Sequence, residues 1–489
     1  MFTFKTATPQ DYGIPASAVA KMEELYEKLG VRMHGYMLLG GDKILAERYY
    51  EPYGEAVNHR MYSITKSFVA LAIGLLVKNN KIKLSDKICD YFPEKLPEDG
   101  VHPWCAEMTI EDMLSMRTCY EVTTFKVLDS EDWTETFFKV KPDHVPGTVF
   151  CYDTSSSHVL AALVEKLTGM KLLDYMRKEL LNELGFSKEA YVIPDPVGVS
   201  QGGSGMMSTL RDVARVAYLC NHYGVLDGKE LIPTEYMRKA VSNQVPTDLQ
   251  PKLDEQFGYG YFIWMPREEG FVFYGMGGQL AVCFPKLDFI YLTIADVIGS
   301  PAGLQIIFDS FYHTVYPYLK VRKEDNPLAF EEVVKSDNNN DFKEHSQSSA
   351  DVTDSQIREK TNRRTYNYYP NNLKWSSVTF DWDSQEMRFV IPAGEFSLEF
   401  GTDSWKKQPF LNTAFQCECR GYWKQNHFFI EAYMVDEEQG NIRLEFAWKD
   451  SRLTMRAVST NDPFIHDENL KLSFQGFASA ESLDYYSCS

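Results

Sequence analysis

Ser63 and Lys66, within Tyr62-Ser63-Ile64-Thr65-Lys66-Ser67, stand three positions apart, the spacing that puts two side chains on one face of a helix. A serine hydroxyl is a weak nucleophile until a base removes its proton, and a lysine amine at that spacing is within reach to do so. Serine is also a favoured helix N-cap, so the hydroxyl has a competing structural use. The same spacing recurs at Ser404 and Lys407, in a region that reads as strand and turn. A second constellation is Phe150-Cys151-Tyr152-Asp153-Thr154-Ser155. A tyrosine just ahead of a helix and near a lysine ammonium can serve as general base and acid, and Thr154 can point a hydroxyl into the same cleft. The third is Phe273-Tyr274-Gly275-Met276-Gly277-Gly278-Gln279. Small residues there let a substrate lie against the backbone, where an N–H can donate to a developing oxyanion.

These residues need elements to hold them. Two short strands, Tyr36 to Leu39 and Ile44 to Tyr50, precede Ser63, and the apolar positions Phe68, Leu71, Ala72, Leu75 and Leu76 predict a buried helix starting at or near it. Helical periodicity also marks Ala16 to Leu29, Ser156 to Leu167, Lys171 to Leu184, Thr209 to Tyr223 and Leu304 to Val315. Strand patterns mark Tyr259 to Trp264, Phe271 to Tyr274, Gln279 to Phe284 and Phe289 to Ala295. Strands at both ends with helices between them predict an α/β domain over 1–325 whose sheet is assembled from distant segments. Polar residues dominate 326–364, which reads as a linker. From 365 to 489 the alternation turns to period two, as in Val378, Phe380 and Trp382 or Leu444, Phe446 and Trp448, predicting an antiparallel all-β domain.

The 489 residues are too many for one ordinary core, and a formal charge of -19 without a basic cluster argues against nucleic acid or an anionic membrane as partner. The longest apolar run, Phe68 to Val77, is too short to cross a bilayer, and the N-terminus has no signal-peptide pattern. Nine scattered cysteines fit reduced thiols, so the chain reads as cytoplasmic. Cys417 and Cys419 have no second pair at metal-site spacing, and His34, His59 and His158 read as structural.

Taken in order, the three stations resemble the penicillin-binding-protein-like serine hydrolases, the superfamily of class C β-lactamases, D-alanyl-D-alanine peptidases, related esterases and nylon-oligomer hydrolases. His59 to Phe68 resembles its first motif, Tyr152-Asp153-Thr154 its Tyr-x-Asn motif, and Gly202 to Asp212 a structural segment common in these proteins. The resemblance implies a β-lactamase/DD-peptidase-like fold, an antiparallel sheet flanked by helices with a helical subdomain. It implies Ser63 as acyl-forming nucleophile, Lys66 as its proton acceptor, Tyr152 as partner base and leaving-group acid, and the N–H groups of Ser63 and Met276 as oxyanion hole. Thr154, Phe273, Tyr274 and Gly275 would face the substrate. Two departures bear on specificity. Thr154 replaces an asparagine, and Phe273 stands where penicillin-recognising members carry a Lys or His for the substrate carboxylate, which favours neutral or apolar substrates. The expectation is a hydrolase of small esters or amides needing no metal or cofactor, with a homodimer compatible. Its alternatives are a carboxypeptidase or β-lactamase anchored by Arg211 or Arg267, and a weakly active binding protein.

Overall fold

Three strands rich in buried apolar residues, β9 (Phe271–Gly275), β10 (Gln279–Phe284) and β11 (Phe289–Ala295), run antiparallel in one meander. β2 (Met33–Gly40) joins β11 from the far end of the domain, so the order is β1-β3-β2-β11-β10-β9, with β1 (Lys5–Thr6) parallel to β3 (Lys43–Tyr49) and the other pairs antiparallel. Every residue of β2, β10 and β11 is buried, which requires cover on both faces. Helix Gly303–Thr314 packs with helix Ala16–Lys28, and its Phe311 stacks on Tyr291 with ring centroids 4.4 Å apart. Helix Leu210–Asn221 lies on β10 and β11, and Ile64–Lys78 touches β9. A small sheet of β4 (His59–Arg60), β6 (Met206–Ser208) and β5 (Tyr191–Val192) holds the chain just before Ser63.

The computed structural model describes residues 2–300, 302–320, 352–411, 413, 415–437, 440–459 and 476–482. Contacts divide these into two units. The first is built from the chain before Glu51, Gly54–Ala295 and the residues from Ser300; the second holds the residues after 351 with two short pieces, Glu51–Tyr53 and Asp296–Gly299. Most of the 326–364 stretch expected as a linker lies outside the described residues, and its described end contains the helix Val352–Thr361.

The second unit contains a ten-stranded sheet, all of its paired neighbours antiparallel, that runs from Gly394–Glu399 at one margin to Lys406–Pro409 at the other. Period-two side chains such as Phe380, Phe428, Phe446 and Leu444 fill its core, with Trp382, Trp423 and Trp448 packed against them. The two margins meet through side chains, the Lys406 ammonium on the Glu399 carboxylate at 3.4 Å and, more closely, Gln408. The Gln408 carboxamide accepts from the Glu399 N–H at 3.0 Å and donates to the Glu399 carbonyl at 2.6 Å, standing in for a ladder pair and nearly closing a barrel.

One expectation needs correction. Tyr259 to Trp264 is not a regular strand; it bonds through isolated bridges, with φ at 110° for Gly258 and 54° for Phe262. A Cβ on Gly260 would lie 2.2 Å from the Ala240 carbonyl oxygen, so the chain folds tightly past a neighbour although its aromatic content resembles a strand. Lys171 to Leu184 is helical as expected, with a π-bulge inside it. It runs without interruption through Leu172–Met176, the π-segment Arg177–Leu181 and Asn182–Leu184, and Arg177 donates to the carbonyls of Ser187, Lys188 and Ala190.

Candidate active site

Ser63 sits at the N-cap of the helix Ile64–Lys78, but its side chain makes no capping bond. Its Oγ instead accepts a 3.1 Å hydrogen bond from Lys66 Nζ, one turn further on. Lys66 is 1% exposed and donates a second bond, 2.7 Å, to the Gly203 carbonyl. Burial disfavours the charged amine and draws its pKa down to about 7, against the pull of Asp153 and with help from Lys126. An amine so tuned is largely able to accept a proton near neutrality.

The Lys66 ammonium lies 5.0 Å from the centroid of the Tyr152 ring, so the phenol belongs to the same cluster as Ser63 and Lys66. Burial raises the phenol's pKa above its ordinary value, with the neighbouring Ser63 hydroxyl acting the other way. Tyr152 is thus a proton donor at neutral pH. Its ring stacks on Trp264 at 5.8 Å, and Cys151 N–H donates to the Met116 carbonyl at 2.8 Å, fixing the strap that carries it.

Asp153 explains why a helix begins there. Its carboxylate accepts from the N–H groups of Ser155 and Ser156, capping helix Thr154–Thr168. Burial pushes its pKa up to about 6, against those bonds and the Lys66 charge. Sequence reading gave Asp153 no role, though an aspartate ahead of Thr154-Ser155-Ser156-Ser157 carries a capping signal. The Gly203 carbonyl was missed as well. Its signal is the glycine itself, since a Cβ there would lie 2.2 Å from Thr154 Cγ2.

Backbone strain gathers around these groups. Tyr62, Met116 and Phe262 have φ of 45°, 55° and 54°, uncommon for residues with a side chain. Thr65 Oγ1 ties Tyr62 to the small sheet by donating to the Tyr62 carbonyl and accepting from Met206 N–H, and Ser67 Oγ donates to the Phe262 carbonyl.

The third station is split. The end of β9 comes against the nucleophile's own strand: a Cβ on Gly275 would lie 2.4 Å from the Met61 carbonyl oxygen. Met276 follows in the turn, half-exposed, its carbonyl accepting from Gln279 Nε2 at 2.7 Å. Phe273, expected to face the substrate, is 0% exposed and packs beside Phe271, in a strand whose five residues are all buried. Tyr274 is also buried and donates to Glu255 at 2.7 Å. Thr154 is half-buried, its N–H bonded to Thr123 Oγ1 and its methyl group close to Gly203. Arg211 is held by Glu47 and Glu55, and Arg267 by Asp254 and Asp309. Ser404 and Lys407 lie in and beside a strand, without the helical turn that joins Ser63 to Lys66. Among the described residues no group of acidic, histidine or cysteine side chains is placed to hold a metal ion.

An antiparallel sheet between helices, with a serine and a buried lysine one helical turn apart, defines the penicillin-binding-protein-like serine hydrolase class. The chain belongs to the Beta-lactamase family, whose profile matches residues 20–293. It is 23% identical over 259 residues to a 6-aminohexanoate-dimer hydrolase of Paenarthrobacter ureafaciens, a match over 48% of this chain and 64% of that protein. A Bacillus anthracis structure provisionally named 6-aminohexanoate-dimer hydrolase aligns with a TM-score of 0.52 at 19% identity, covering 64% of this chain and 86% of that one. A penicillin-binding protein homologue of Caulobacter crescentus aligns with a TM-score of 0.50 at 16% identity, over 62% and 98%. At these identities the structural likeness is one of fold. No described helix is long and apolar enough to cross a membrane, and the described cysteines are all free.

Proposed function

We propose that the protein hydrolyses small esters or amides through an acyl-enzyme on Ser63. The observation that carries the reading is the buried Lys66 amine on the Ser63 hydroxyl, a contact that replaces the capping bond a structural serine would make. Neutral Lys66 takes the hydroxyl proton as Oγ adds to the carbonyl carbon. The N–H groups of Ser63 and Met276 are the donors assigned to the resulting oxyanion. Tyr152 gives its phenolic proton to the leaving oxygen or nitrogen as that bond breaks, and the Lys66 ammonium returns a proton to the phenolate. Water then attacks the acyl group, the same groups move its protons in reverse, and the acid leaves with Ser63 restored.

The amide-cleaving relative named 6-aminohexanoate-dimer hydrolase supports including amides among the substrates. The missing cation at Phe273 and the paired state of Arg211 and Arg267 weigh against a β-lactamase or carboxypeptidase built on those anchors. A fluorophosphonate probe tests the nucleophile: wild-type protein should be labelled on Ser63 and Ser63→Ala should not. Wild-type protein that stays unlabelled would favour a binding protein on this fold, and nitrocefin turnover exceeding that of p-nitrophenyl esters would overturn the substrate reading.

A further inference from the structure

We propose, resting on the reading of Ser63 as an acyl-forming nucleophile, that Lys126 reads charge on the substrate, and that the preferred esters or amides carry a carboxylate away from the bond cleaved. Lys126 ends the single 3-10 turn Thr124–Lys126, which is pinned to the helix that follows Tyr152. Thr124 N–H donates to Ser155 Oγ at 2.6 Å, Thr123 Oγ1 accepts from Thr154 N–H at 3.3 Å, and Phe125 stacks on Trp133 with centroids 4.3 Å apart. The backbone of Lys126 is therefore fixed beside the second station while its side chain is exposed. Its ammonium is near enough to Lys66 for the two like charges to be felt.

The chain has 69 acidic residues against 50 Lys and Arg, and three cations of this unit that could serve as anchors already hold acids: Arg211 and Arg267 as described, and Lys252 by Glu255 at 2.9 Å. Lys126 has no ion pair or hydrogen bond from its side chain among the described residues. An arriving carboxylate finds there a cation with no acid of its own to displace. The cation absent at Phe273 is thus replaced from a different element.

The test compares ligands that differ in charge but hardly in shape. In the Ser63→Ala protein, which needs no turnover, hexanoate should bind about 5-fold more tightly than hexanamide at low salt, the size of a partly exposed charge contact. Adding Lys126→Ala should close the gap, and Lys126→Arg should restore it. A gap that is absent, or that survives Lys126→Ala, overturns the proposal. In otherwise wild-type protein the kcat/KM ratio for mono-p-nitrophenyl glutarate over p-nitrophenyl butyrate should fall about 5-fold in Lys126→Ala. The ratio cancels any effect of the substitution on the Lys66 proton. Ester turnover with an unchanged ratio sinks the Lys126 assignment alone. No ester turnover beside a Lys126-dependent binding gap sinks the hydrolase reading and leaves the charge reading standing.

Discussion

Lys66 is the residue on which chemistry and stability pull in opposite directions. With its pKa drawn down to about 7, the amine is the active form, so kcat/KM should rise with pH through a midpoint near 7 and flatten above it. A limb centred near 10 would show that the amine is not desolvated. Burying it also has a folding cost with a definite sign. The unfolded chain takes up this proton from about the ordinary value of 10.5 downward, whereas the folded chain resists until about 7, so stability falls as pH drops across that window and is lowest below it. Lys66→Met should therefore be inactive yet melt a few degrees higher below pH 7, with the advantage shrinking towards pH 10, as thermal denaturation at both pH values would reveal. Tyr152→Phe keeps the ring on Trp264 and removes only the proton; it should lower kcat by about 10² to 10⁴ with an unchanged melting temperature.

At the level of elements, the site is where the Ser63 helix, the Tyr152 helix and the end of β9 converge, and glycines set how close they come. Gly203→Ala forces a Cβ to within 2.2 Å of Thr154 Cγ2, so the loop must retreat and carry the Lys66 acceptor with it. Turnover should drop at least about 10-fold and stability by about 1–3 kcal/mol, as rate assays and denaturant unfolding would measure. Gly54→Ala, where a Cβ meets nothing within 4 Å, is the matched control. The same contrast explains what sequence reading could see. The meeting of Ser63 with Lys66 is local, a matter of helical spacing, and so it is legible. The small-residue pattern of Gly275 to Gly278 likewise announces a close approach. The burial of Phe273, the carbonyl offered by Gly203 and the pinning of Lys126 depend on residues far off in the chain, and spacing carries no trace of them. The aromatic run Tyr259 to Trp264 misleads for the same reason: crowding by Ala240 outweighs strand propensity.

For the whole molecule, the division into an α/β unit and a strand-built unit follows the change in hydrophobic period along the chain, and each has its own apolar core. Heating should accordingly give two calorimetric transitions, with phosphonylation of Ser63 raising the one that reports the first unit; one merged transition would contradict separate cores. The Gln408 carboxamide gives the second unit a further property. An open sheet offers its outermost backbone to any passing segment, whereas here the last strands occupy one another through a side chain that mimics a peptide group. Addition of a further strand at that point of the edge is thereby hindered. The closure is shared with the Lys406–Glu399 ion pair and with the Gly421 N–H on the Gly401 carbonyl, so the seam does not depend on one amide alone.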